Sequence, residues 1–91
     1  MTKKVKLLKS KDYKSREEVS KFLHELADKI ASGSVSMAQG DQDHTFQIPD
    51  SIVLEIEAEQ KDKGIKGLQQ ELEIELKWYE GGRNGDPLKL K

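Results

Sequence analysis

Glu55, Glu57, Glu59, Glu71, Glu73 and Glu75 stand at alternate positions in two short runs. Clustered carboxylates are the raw material of general acid–base chemistry and of cation binding. Acid–base work, however, needs one carboxylate whose pKa is displaced inside a cleft. Alternation instead places all six on one open sheet face, where solvent screening works against such a displacement. Zinc needs convergent nitrogen or sulfur ligands. The chain has no cysteine, and His24 and His44 lie far apart. Asp41, Asp43 and His44 are a candidate weak cation site, but no calcium-loop pattern continues past them, and a solvated polar turn is the commoner role. The serines lack a nucleophile-elbow context, and Gly81-Gly82 does not lie between a strand and a helix as a phosphate loop does. The expectation is no catalytic residue, no metal, no cofactor and no enzymatic activity.

Charge offers two further candidates. The net charge of −1 conceals an asymmetry, +6 over residues 1–16, −9 over 17–76 and +2 over 77–91. Lys9, Lys11, Lys14 and Arg16, with Tyr13 interleaved, form the candidate nucleic-acid-binding arm, since phosphate contact favours clustered Lys and Arg. The acidic body would repel a polyanion, and strand lysines also serve as partners for acidic strands and as edge protection. Glu55, Glu57, Glu73 and Glu75 are candidate contacts for a basic protein partner, with Trp78 as an aromatic anchor. A solvated face and a ring closing the end of the core are the plainer roles for these two features.

The elements that position these residues follow from periodicity. Leu68, Leu72, Ile74, Leu76 and Trp78 share one parity, and Glu71, Glu73, Glu75 and Lys77 the other. That is a strand with one dry face, against the helix preference of leucine and glutamate. Ile52, Leu54, Ile56 and Ala58 alternate with Val53, Glu55, Glu57 and Glu59 in a matching acidic strand, joined to it by a loop over 60–66. Val5 and Leu7 alternating with Lys4 and Lys6 predict a lysine-rich first strand. Ser15-Arg16-Glu17-Glu18 has capping-box form and starts a helix whose stripe is Val19, Phe22, Leu23, Leu26, Ala27 and Ile30, with Gly33 as its stop. Strands follow over 34–39, with Val35 and Met37 on one face, and over 45–48, with Phe46 and Ile48 inward; 40–43 is their turn.

The order predicts an α+β fold, β-α-β-β-β-β, with one helix packed on a five-stranded antiparallel sheet of order 2-3-4-5-1. Lys4 and Lys6 would then face the glutamates and relieve their repulsion. One domain over 3–78 and a flexible tail over 79–91 are expected.

The lysine strand, the Ser-Arg-Glu-Glu helix start with its end near Ala31-Ser32-Gly33, the turn at Ile48-Pro49-Asp50 and the closing Leu72–Trp78 together resemble the amphi-Trp domain family. The resemblance covers roughly residues 3–78, and Leu72–Trp78 after the acidic strand at Ile52–Glu59 is its most specific piece. It implies a small archaeal or bacterial protein or module and implies no activity. From its acidic sheet face and open edge, the chain is expected to be a non-enzymatic interaction module. The expected partner is an unidentified protein, with a homodimer or an added peptide strand as the option offered by the uncharged strand Ser34-Val35-Ser36-Met37-Ala38, whose edge is poorly guarded. The alternative is nucleic-acid association through the basic arm. No run of apolar residues approaches membrane-spanning length, and a cytoplasmic location is expected.

Overall fold

Helix α1 spans Arg16–Ser32 because both of its ends are specified locally. At the start, the Ser15 hydroxyl accepts from the Glu18 backbone N–H at 3.0 Å, and the Glu18 carboxylate accepts from the Ser15 N–H at 3.2 Å. This capping box satisfies two donors that a helix end leaves unpaired. Glu17 and Glu18 in the first turn and Lys29 in the last complement the helix dipole. At the other end Gly33 adopts φ 88°, and its N–H reaches Ile30 O at 3.0 Å. Replacing Ser15 by Ala should lower helix stability by about 1 kcal/mol. A thermal melt followed by circular dichroism at the helix band measures that loss, and an unchanged midpoint would refute the role given to the box.

The computed structural model describes residues 2–80 and residue 90. They fall in two compact units, Met1–Ile48 and Pro49–Lys91. In the first, strands β1 (Ser34–Gln39) and β2 (Gln42–Gln47) form an antiparallel hairpin with Val35 opposite Phe46 and Met37 opposite His44. The two-residue loop Gly40-Asp41 has positive φ only at Gly40 (59°), the pattern of a type II′ turn, which suits hairpin twist. One face carries Val35, Met37, His44 and Phe46, and α1 packs against β1. The His44 ring meets Phe46 edge-on, with centroids 4.5 Å apart. The other face is polar, with Ser36 and Thr45 hydroxyls 2.8 Å apart. Val35, 3% exposed, is the one buried hydrophobic residue among the described residues. Gly33 closes the unit by accepting the Ile48 N–H at 2.8 Å.

In the second unit β3 (Val53–Asp62) pairs antiparallel with β4 (Leu68–Lys77), in full register from Val53 opposite Lys77 to Asp62 opposite Leu68. The loop between them contains a short 3-10 turn, Gly64–Lys66. Asp62 Oδ1 accepts from the Gly64 N–H at 2.8 Å, and Lys63 N–H reaches Gly67 O at 2.9 Å. Gly64 and Gly67 take the left-handed φ values, 65° and 92°, that this tight closure requires.

The five-stranded sheet is not formed. Among the described residues there are four strands in two separate two-stranded sheets, β1-β2 and β3-β4, so neither the 2-3-4-5-1 order nor the lysine first strand stands. Residues 2–15 carry no helix or strand. Alternation states which face each side chain would take, but a strand exists only where a second strand supplies its hydrogen bonds. The arm is instead tied to β1 by Gln39, whose Nε2 donates to Lys9 O at 2.6 Å and whose Oε1 accepts from Lys9 N–H at 3.4 Å. The loop expected over 60–66 is shorter, because both acidic strands run on, helped by a Gln70-to-Gln60 side-chain hydrogen bond of 2.8 Å. The strand expected over 45–48 begins at Gln42, because a type II′ turn needs only two residues. Of the expected tail, only Tyr79, Glu80 and Leu90 lie among the described residues.

Candidate surfaces of the hairpin and the basic arm

The register of β3 and β4 sets Glu55 opposite Glu75, Glu57 opposite Glu73 and Glu59 opposite Glu71. All six glutamates therefore share one face, as their parity predicts. Directly opposed like charges on an antiparallel pair destabilise it. Two lysines of the hairpin relieve the ends of this ladder. Lys61 Nζ lies 3.0 Å from Glu71, and Lys77 Nζ lies 3.2 Å from both Glu55 and Glu75. The bond to Glu71 raises the Lys61 pKa, and those to Glu75 and then Glu55 raise that of Lys77. The rest of the ladder has no such contact, and Lys61 reaches Glu59 and Glu73 only through its charge. Among the described residues no lysine or arginine pairs with Glu57, Glu59 or Glu73. Partial loss of hydration, followed by the charges of Glu57, Glu59, Glu71 and Glu75, pushes Glu73 above the ordinary glutamate range.

The opposite face of the same hairpin is apolar and open. Leu54, Ile56, Ala58, Leu72 and Ile74 line it, with Leu72 71% and Ile74 55% exposed. Leu76 is half-buried, and so is Trp78, which follows the last strand residue on the same parity. Trp78 is thus two residues beyond Leu76 and outside the strand ladder. With two strands only, both long edges of the hairpin remain without a strand partner among the described residues.

The basic arm is spread rather than gathered. Lys9, Lys11, Lys14 and Arg16 are all exposed. Lys14 lines one shallow groove against α1 with Asp12, Glu18 and Glu25, whereas Lys9 lines a neighbouring groove with Leu8, Phe22 and Met37. Acids thus intervene where phosphate binding would want an unbroken cationic stripe. Val5, 79% exposed, and Leu7, 47% exposed, lie in the same arm.

The remaining candidates separate. His24 is exposed on α1, with Nδ1 2.8 Å from Ser20 O one turn back. Asp43 and His44 are adjacent strand residues and so point to opposite faces of the β1-β2 hairpin, which breaks up the candidate cation cluster with Asp41. Among the described residues no group of three acidic or imidazole side chains could hold a metal ion. No helix of the described residues is long and apolar enough to cross a membrane. Lys61 is the contributor that residue-level reading passed over. It has the parity of Glu57 and Glu59, and that parity was the available signal.

The chain matches the Amphi-Trp domain over residues 1–91, its whole length, and therefore belongs to that family. No curated protein and no solved structure matches it.

Proposed function

We propose that this amphi-Trp chain is a non-enzymatic, cytoplasmic protein-interaction module that takes its partner on the β3-β4 hairpin. What supports the reading is one observation, that the hairpin is unsatisfied on both faces at once. Leu72 and Ile74 are exposed on one side, while Glu57, Glu59 and Glu73 lack cationic partners among the described residues on the other. An added strand places its own side chains alternately on the two faces. The matching partner is an extended segment that alternates basic and apolar residues, joined by backbone hydrogen bonds to an open edge. Glu73 and Glu75 would meet its basic residues from β4, Glu55 and Glu57 would add their charge from β3, and Trp78 would border the apolar row.

A peptide of alternating lysine and leucine, added to the full chain, should shift the backbone amides of residues 68–77 most. The effect should weaken as salt is raised, because the charged rows are exposed. A peptide of the same composition with lysines and leucines in separate blocks should leave them unmoved. Equal shifts from both peptides, or none from either, would overturn the reading. A second reading, nucleic-acid association, draws on the exposure of Lys9, Lys11, Lys14 and Arg16. An oligonucleotide that moved the amides of residues 9–16, with the peptides silent, would favour it.

A further inference from the structure

The arm of this chain has the alternation that the hairpin edge calls for. Lys4 and Lys6 take one parity, Val5 and Leu7 the other. Val5 and Leu7 are exposed, and among the described residues Lys4 and Lys6 form no ion pair. Laid beside β4, such a segment would set its lysines along Glu71, Glu73 and Glu75 and its apolar residues along Leu72 and Ile74. Other segments of the protein fit worse. Pairing β4 with β4 would bring glutamates against glutamates. The strand β1, Ser-Val-Ser-Met-Ala-Gln, has no cation to offer.

We infer that the occupant of the β4 edge is residues 3–7 of a second copy of the chain, added as a strand. This rests on the hairpin being a docking surface and names what docks there. Charge complementarity carries the choice, with +6 over residues 1–16 against the six-glutamate face. Reciprocal donation makes a closed two-fold dimer, the commonest route by which identical chains satisfy each other. The raised pKa of Glu73 accords with a face that lacks a cation in the isolated chain.

Charge exchange between separately prepared chains tests it. Chain K4E/K6E loses the basic donor, and chain E73K reverses the central charge of the Glu71-Glu73-Glu75 acceptor row. Each alone should sediment as a monomer at a concentration where the unaltered chain is dimeric. Mixed in equal amounts they should recover the dimer, because the glutamate arm of one faces the new lysine of the other and its own edge still takes the lysine arm. E73K replaces a like-charge pair by an opposite-charge pair across the hairpin, so it should fold at least as well as the parent. An unaltered chain that stays monomeric, variants that dimerise alone, or a mixture that stays monomeric would each overturn the proposal. The alternating peptide, applied to chain K4E/K6E, separates the two claims. Peptide bound at β4 of chain K4E/K6E, while the unaltered chain stays monomeric, removes only the second copy. No peptide bound removes the docking surface as well.

Discussion

Val35→Asp should unfold the unit Met1–Ile48 and abolish most of the helix signal in circular dichroism. Val35 is the single buried hydrophobic residue among the described residues, and it faces Phe46 across the hairpin while α1 packs on its strand. Full burial of a valine contributes about 1.5–3 kcal/mol. A carboxylate in its place forfeits that and adds an unpaired charge in apolar surroundings, costing several kcal/mol more. A small core has no comparable reserve. The control is Ser36→Asp, one residue along and on the polar face beside Thr45. It should change the melting midpoint little, within the range of about ±0.5 kcal/mol usual for surface changes. Equal damage from the two substitutions would mean that β1 does not present the faces described.

Acidification should act on the two units with opposite sign. Glu18 is held below the ordinary glutamate range, first by its hydrogen bond with the Ser15 backbone and then by the Ser15 hydroxyl. A carboxylate with a depressed folded pKa contributes stability above its unfolded value, about 4.3 for Glu. That contribution is lost as pH falls through the lower folded value. Glu73 is shifted the other way. Its contribution is fully present below the unfolded value and is lost as pH rises through the higher folded one. Between neutral pH and pH about 3.5, straddling the glutamate range, amides of Arg16–Ser32 should therefore exchange faster once intrinsic rates are accounted for. Those of Val53–Asp62 and Leu68–Lys77 should gain protection as the ladder loses repulsion. Hydrogen exchange read residue by residue checks both directions, and parallel behaviour in the two units would contradict the assignment. At the alkaline end Lys61 and Lys77, both raised by their glutamates, keep their contribution until pH climbs through their folded values.

What was legible in the sequence was local. Ser15, Glu18 and Gly33 mark the helix ends through bonds made within a turn, and those bonds form as expected. The six glutamates share a face because side-chain parity survives whatever a strand pairs with. What was not legible was pairing at a distance. Val5 and Leu7 alternate as a strand should, yet no sequence pattern reports whether a neighbour is present to receive them. The lysines that temper the ladder turned out to be Lys61 and Lys77, on the hairpin itself, rather than Lys4 and Lys6. The turn reads as 40–43, with His44 in or beside it, because four polar residues look alike whether the turn uses two of them or four. Gly40 at the first of two loop positions decides it. The partner-facing candidates Glu55, Glu57, Glu73 and Glu75 were found by parity, whereas the exposure of Leu72 and Ile74 depends on what covers them and lies beyond any one-dimensional pattern.

The placement of Trp78 gives the molecule a built-in optical label. It is the chain's one tryptophan, half-buried immediately after the last residue of β4. The sole helix longer than a single turn among the described residues lies in the other unit. Indole emission thus reports on the hairpin, and ellipticity at the helix band on α1. A ligand, salt or temperature step can be followed at the end of β4 and at α1 from two spectra of the same cuvette, without attaching a dye.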